Sequence, residues 1–381
     1  MKPGAHQDLP ISNKIAEKVD MENAGIVNNY VGIDVGKRKL EVVRIRRDGT
    51  LQRYQTGTDH KSLNGLLRWL VADDTVVLEA GNLSFMIAKR IRDEKRVPVV
   101  VLNPGDVATI YQSLKKTDRE DALKLARLAQ RHPLEELPTV RIPSDEEENW
   151  RRLCSEQGYW SRELTKGKNR LHSLFVSAGL THLTKKDMDS KKNRDCAVGL
   201  LPQHCRAEAV RVTRHMDMIE ENLSAIIAEI LEVLKEHGGY ANMVMSMPGI
   251  GPIAALTLLA YVGNCERFSH GKQLGYYVGM VPRVDISGDT VRYGRIITRG
   301  CAPLRRIIIQ CANALVRAKD SGELSVFYMR LKERKGHNKA IVAVARKMLE
   351  VLYAMITSGE LYRYASADFI EKKLKRYGIA A

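Results

Sequence analysis

The sequence predicts a mixed α/β domain followed by a longer, mainly helical region. Short runs of β-branched residues alternate with amphipathic stretches as far as residue 143, where Pro133, Pro138 and Pro143 fall close together. Beyond the prolines, heptad-like apolar spacing replaces the β-rich runs. A length of 381 residues suits two or three domains. Hydrophobic content of 44% excludes wholesale disorder. The 61 Lys and Arg against 45 Asp and Glu give a formal charge of +16, which favours polyanionic partners. With no low-complexity tract to carry it, that charge belongs on folded surfaces.

Residues 1–27 lack sustained periodicity and a signal-peptide core, and are expected to form a flexible arm. Tyr30–Gly36, Leu40–Ile45 and Leu51–Tyr54 are β-rich runs, the last two separated by the turn Arg47-Asp-Gly49, so an antiparallel meander follows. Next come an amphipathic helix over about Lys61–Val71, a buried strand Thr75–Glu79 and a helix from about Ser84 to Asp93. A second buried strand, Val97–Leu102, tolerates Pro98 only near its start, and a last helix runs from about Asp118 to Gln130. Three strands and then helix, strand, helix, strand, helix is the order of a ribonuclease-H-like domain, here over 28–143.

Ser144-Asp-Glu-Glu147 is a capping box that opens a new helix. Trp150, Cys154, Trp160, Leu164, Leu171 and Phe175, and later Ile219, Leu223, Ile226, Ile230 and Leu234, predict two long helices. These form a coiled-coil-like spacer over 144–240, paired antiparallel within the chain or between chains. Thr184–Asp195 between them shows no apolar face and reads as a solvated tip. Residues 241–360 read as helical and dense in glycine and arginine, and 361–381 as a basic tail in which Lys372–Arg376 is a solvated helix end. The apolar stretch Met247–Gly263 is too short and broken to span a bilayer, so no membrane segment is expected. Six cysteines without a CxxC pair fit a reducing, cytoplasmic compartment, and Cys196, His204 and Cys205 lack the second ligand pair of a zinc site.

Three constellations bear chemistry. Asp34 sits within an apolar strand and Glu79 closes another, and a carboxylate buried in a sheet requires compensation. Either residue alone also fits a strand-end cap. In Lys116-Thr-Asp118-Arg-Glu-Asp121-Ala122 the two aspartates share a helix face, with Thr117 as N-cap and Glu120 completing a capping box. In the expected topology the first and fourth strands are parallel neighbours, so Asp34 and Glu79 lie side by side and the last helix brings Asp118 and Asp121 to them. Converging carboxylates repel, and hard divalent cations, Mg2+ or Mn2+, resolve the repulsion through oxygen ligands. Two such ions about 4 Å apart serve phosphodiester cleavage. In the second constellation, Met247-Pro-Gly-Ile-Gly251, the glycines Gly249 and Gly251 suit a turn whose amides approach DNA phosphate, as in helix-hairpin-helix modules, or a plain helix–helix turn. The third is Ser287-Gly288, an ordinary turn by spacing, flanked by Arg283, Arg292, Arg295, Arg299, Arg305 and Arg306, which together supply guanidinium groups for a phosphoryl transition state.

In combination and order, these motifs resemble the DEDD-type transposases of the IS-one-ten (IS110) insertion sequences, related to the Piv/MooV site-specific invertases. The carrying motifs are Gly32-Ile-Asp-Val35, Val77-Leu-Glu-Ala80, Lys116–Ala122, Pro248-Gly-Ile-Gly-Pro252, Gly279-Met-Val-Pro-Arg283, Ser287-Gly288 and Arg299-Gly300 through Leu304-Arg305. The resemblance implies a RuvC-like first domain with Asp34, Glu79, Asp118 and Asp121 as a Mg2+-binding tetrad. It implies Ser287 as the nucleophile that forms a 5′-phosphoserine link, in a serine-bearing domain supplied by another subunit of a dimer or tetramer. It further implies DNA ends and target as partners, an element-encoded noncoding guide RNA, and a nucleoid-associated prokaryotic setting. The alternatives are a Holliday-junction endonuclease using the carboxylates alone, an actin-like ATPase or sugar kinase built on Gly32–Gly36, and an architectural DNA-binding protein. The kinase lacks a second Gly-rich phosphate loop, and the architectural protein leaves the four acidic residues unexplained.

Overall fold

The alternation of side chains along the first strand organises the N-terminal part of the molecule. In β1 (Asn29–Val35), Val31, Ile33 and Val35 face one layer while Tyr30, Gly32 and Asp34 face the other. The computed structural model describes residues 28–110, 117–287, 290–297 and 299–379, and of residues 108–110, 286 and 287 the backbone alone. The arm expected over 1–27, Lys116, Gly288, Asp289 and the last two residues of the basic tail lie outside the described residues.

Contacts divide the chain between Pro143 and Ser144. In the first unit, β2 (Lys39–Ile45) and β3 (Leu51–Gly57) complete an antiparallel meander with β1. Then follow α1 (His60–Trp69), β4 (Asp74–Glu79), α2 (Ser84–Lys95), β5 (Val99–Leu102), α3 (Pro104–Ile110) and α4 (Asp118–Arg131). The sheet order is β3-β2-β1-β4-β5, with β4 parallel to both β1 and β5. Pro98 precedes β5 instead of opening it, so no ladder donor is lost. One face of the sheet packs Val31, Ile33, Val42, Val76 and Leu78 against Leu63, Leu66, Ile87 and Ile91 of α1 and α2. The other face carries α4.

In the second unit, α5 (Asp145–Ser177) opens with the capping box at Ser144 and Glu147. Then come α6 (Lys191–Gly199) and α7 (Gln203–Glu236). The two long helices pair antiparallel within the chain: Trp150 meets His237 edge to face, and Met216 Cγ lies 2.7 Å from where a Cβ on Gly167 would sit. The segment expected to be a solvated tip is mostly exposed, but two of its residues are buried. Met188 is buried in a small core with Leu171, Phe175 and Leu201, and Arg194 is wholly buried because Asp217, Glu220 and the Met188 carbonyl meet its guanidinium. Pairing of this kind lets a charged residue serve as core, which apolar periodicity cannot reveal.

The remaining elements are α8 (Gly238–Ser246), α9 (Pro252–Tyr261), α10 (Gly271–Val278), β6 (Pro282–Ser287), β7 (Thr290–Ile296), α11 (Ala302–Leu315), α12 (Glu323–Lys335), α13 (His337–Ser358) and α14 (Ala367–Tyr377). Nearly every side chain of α9 is buried, and it is the centre of a core that also takes in Ile226, Ile230 and Leu234 of α7. Packed against α8, α14 sends Lys373 Nζ to the carbonyls of Met245 and Met247, at 2.6 and 3.0 Å, so this lysine is not part of a solvated helix end. No helix among the described residues is long and apolar enough to cross a membrane.

Candidate functional site

Gly32 determines how closely α4 approaches the sheet. A Cβ there would lie 2.0 Å from the Ala122 carbonyl oxygen and 2.6 Å from the Ala126 nitrogen, so only glycine lets the helix backbone rest on β1. Contact at that depth brings the first turn of α4, with Asp118 and Asp121, to the end of β1 that carries Asp34. Thr117 caps the helix by accepting a hydrogen bond from the Glu120 amide, 3.3 Å away. The parallel register pairs Ile33 with Leu78, so Asp34 and Glu79 follow as neighbours. Asp34 consequently sits half-buried among like charges. Burial first, and then the charges of Asp118, Asp121, Glu79 and Glu41, push its carboxyl from 3.8 up to about 6.

Glu41 was not anticipated from the sequence. The antiparallel register places it directly opposite Asp34, on the α4 side of the sheet. Burial would raise its carboxyl, but hydrogen bonds from Lys39 and Gln55 and the charges of Lys39 and Arg119 hold it below its ordinary value. The signal available was an acid inside the otherwise apolar run Leu40-Glu-Val-Val, which the meander turn brings beside Asp34.

The five carboxylates differ in their compensation. Lys124 pairs with Asp121 and Lys39 with Glu41, whereas Asp34 has no ion-pair partner among the described residues. No group of three or more His, Cys, Asp or Glu among the described residues stands close enough to grip a metal ion. The oxygen donors are of the right kind for a hard divalent cation, which would offset both the burial of Asp34 and the repulsion from its acidic neighbours that together raise its carboxyl.

In the second unit, the turn between α8 and α9 is built for packing. Gly249 has φ +85°, and a Cβ on it would meet the Cys311 carbonyl oxygen of α11 at 2.4 Å, while Ile250 is buried. Gly251 serves as the N-cap of α9. Beyond α10 an exposed hairpin, unforeseen in the sequence, pairs Asp285 with Arg292 and Ser287 with Thr290. Ser287 therefore ends β6, two residues along the strand from Asp285, and Arg295 is exposed on β7. Arg283 donates from Nε to Asp285 Oδ1 at 3.0 Å.

Arg299 and Arg305 meet at the hairpin's base. Arg305 Nη1 donates to the carbonyls of Val278 and Arg299, at 3.1 and 3.3 Å. Gly279, with φ +77°, and Gly300, with φ +111°, admit this junction, since a Cβ on Gly279 would lie 2.1 Å from the Arg299 carbonyl oxygen. The motifs around residues 279–283 and 299–305 are thus one structural knot that fixes where the Ser287 strand leaves the helical core.

Residues 31–179 match the IS110-type DEDD family model described as a transposase, and residues 241–328 match the model of the transposase IS116/IS110/IS902 family. A transposase for insertion sequence element IS1111A of Coxiella burnetii is 28% identical over 282 residues, covering 70% of this chain and 73% of its own. A probable family 20 transposase of Pseudomonas aeruginosa is 26% identical over 344 residues, 87% of this chain and 98% of its own. A pilin gene-inverting protein of Moraxella bovis is 24% identical over 339 residues, 86% and 95% of the two chains. With one model on the acidic sheet and the other on the glycine turn and the hairpin, the chain belongs to the IS110 family of transposases.

Proposed function

We propose that the protein is a DNA transposase that cleaves and exchanges strands with a Mg2+- or Mn2+-binding acidic tetrad, Asp34, Glu79, Asp118 and Asp121, and a nucleophilic Ser287. The observation that carries this is Asp34, whose carboxyl is driven to about 6 by burial and by its acidic neighbours, with no cation paired to it among the described residues. A sheet in the order β3-β2-β1-β4-β5, with α4 laid on the central strand, supports a RuvC-like, RNase H-like first domain. When bound, the divalent ion supplies charge neutralisation at the phosphate and activation of the attacking group. Within the chain, α4 orients Asp118 and Asp121 and Gly32 sets their distance from Asp34. Lys124 holds Asp121 until a cation competes for it. Arg292, across from Asp285 and two pairs along the hairpin from Ser287, would neutralise a phosphate attacked by the serine.

Relatives named for pilin gene inversion support strand exchange as the outcome. The surplus of +16 suits DNA ends, target and an element-encoded guide RNA held together, in an oligomer that pairs the acidic site of one subunit with Ser287 of another. The test is a labelled DNA substrate carrying element ends, incubated with Mg2+ and resolved on a denaturing gel. Parent protein should yield a covalent protein–DNA adduct. Ser287→Ala should lose the adduct, and Asp34→Asn should lose cleavage by at least about a thousandfold. Retained cleavage in Ser287→Ala, with no adduct in the parent, would replace this reading with a Holliday-junction-type nuclease that uses only carboxylates.

A further inference from the structure

A pocket of about 300 Å3 lies between α5, α9 and α11, and no acidic residue lines it. Gly158, in the interior of α5, is part of its wall, at a position where glycine weakens a helix relative to alanine. Close backbone packing does not explain that glycine. The atoms nearest to where its Cβ would sit are Arg162 Nη1 at 3.5 Å and Arg306 Nη2 at 4.0 Å. Two guanidinium groups from different helices therefore converge on one point, no more than about 7.5 Å apart.

Two other arginines of this unit are tied to protein groups. Arg151 donates to the Ala260 carbonyl and stacks on Tyr261, and Arg305 is tied to Val278 and Arg299. Arg162 and Arg306 have neither an ion pair nor a hydrogen bond among the described residues. Two cations held this close in a concave site, without a counter-charge, raise the local potential and favour an anion. A tetrahedral phosphate spans such a gap, with one charge-assisted N–H···O bond of about 2.8 Å from each guanidinium.

The volume exceeds that of a phosphate group and leaves room for the sugar or base attached to it. Gln157, Ser161, Thr165 and Gln310 offer hydrogen bonds around the space, and Ile253 and Ile307 offer apolar surface. Concave sites of this composition receive an unstacked nucleotide, whereas duplex phosphates lie on a convex rod. We propose that this pocket seats one nucleotide of an unpaired nucleic-acid strand, with its phosphate between Arg162 and Arg306. The site depends on neither the carboxylates nor Ser287.

Fluorescence anisotropy of the full chain with a short fluorescein-labelled single-stranded DNA, in EDTA so that cleavage does not intervene, tests it. Changing both Arg162→Ala and Arg306→Ala should cost about tenfold in affinity and lower the slope of log K against log salt by about one. Changing both to lysine, at unchanged net charge, should recover only part of the loss, because an ammonium lacks the guanidinium fork. Gly158→Leu, a good helix former that fills the space, should reproduce the loss with both arginines present. Thermal melts should show each variant folded, since both arginine side chains are exposed and unpaired. The proposal is overturned by parent-like affinity and slope in the alanine variant, by full recovery with lysine, or by parent-like affinity in Gly158→Leu. It is equally overturned if AMP or inorganic phosphate binding is lost in the alanine variant while strand binding is unchanged, which assigns the pocket to a free nucleotide.

Discussion

Two aspartates on neighbouring strands of the same sheet are treated in opposite ways. Asp74, at the start of β4, is almost fully buried and receives Arg44 Nε at 2.9 Å and Nη2 at 2.6 Å, the Val71 amide at 2.9 Å and Asn29 Nδ2 at 3.2 Å. Arg44 in turn lies over the Trp69 ring, 3.7 Å from its centroid. Asp34, near the end of β1, is half-exposed and, among the described residues, faces further carboxylates instead of a cation. The first arrangement is closed, with each charge met inside the chain, and contributes to the fold. The second leaves Asp34 among like charges with no counter-charge among the described residues, which is tolerable in a folded protein where something from outside supplies the missing cation.

The largest effect that probes this contrast is at the closed end. Arg44→Met leaves Asp74 buried without its partner, which is expected to cost about 3–5 kcal/mol of stability by urea unfolding. Loss of less than about 1 kcal/mol would mean that water or the Val71 amide suffices for Asp74, and the distinction between the two ends would fail.

At the open end the sign reverses. Asp34→Asn should raise the thermal midpoint of the metal-free protein by a few degrees, since it removes one of the mutually repelling charges. The pH dependence follows from the same shift. With a folded value of about 6 against 3.8 when unfolded, the folded state holds the Asp34 proton more tightly. The stability this contributes is complete below 3.8 and is lost as pH rises through about 6. Melts in EDTA across that window should therefore show a decline in the parent that Asp34→Asn lacks, and added Mg2+ should restore the parent above pH 6. A parent whose stability rises through the window would show that the acids are already compensated.

Much of the first unit was legible because one physical rule, alternation on a strand buried on both sides, places Gly32 and Asp34 toward one layer and Val31 and Ile33 toward the other. The same rule contained Glu41, but an acid beside Leu40 and Val42 reads as the solvent side of a half-buried strand until the register sets it against Asp34. The hairpin was hidden for a different reason. Val284, Val291 and Tyr293 are exposed, so β6 and β7 lack the contrast between a buried and a solvated face on which strand periodicity depends. In the glycine turn, Pro248–Pro252 announced a tight connection, yet whether Gly249 opens toward a ligand or toward α11 depends on chain far downstream, at Cys311. The burial of Arg194 within the otherwise exposed tip was hidden likewise, because Asp217 and Glu220, which make a buried arginine tolerable, come from a different helix.

Lys373 provides the smallest and most delicate test, since it is a half-buried charge met by carbonyl dipoles and the Phe369 ring, with no counter-charge among the described residues. Its ammonium donates to two carbonyls at the end of α8, and burial draws its value down from 10.5 to about 8, against a smaller opposing influence from Cys311. In this it stands between Asp74, with a full counter-charge, and Asp34, with none among the described residues. A lysine lowered on folding favours the folded state above its unfolded value, and that contribution is lost as pH falls through about 8. The parent should therefore gain stability between pH 8 and 10.5, measured against Lys373→Met, which cannot titrate there. Near pH 7 the variant should differ little from the parent, within about 1 kcal/mol, because relief from burying a charge offsets the two lost hydrogen bonds. A loss of several kcal/mol at pH 7 would show that carbonyl dipoles compensate a buried ammonium as fully as Arg44 compensates Asp74. The absence of a cation at Asp34 would then no longer be enough to set the open end of the sheet apart, since well-placed dipoles could serve there equally.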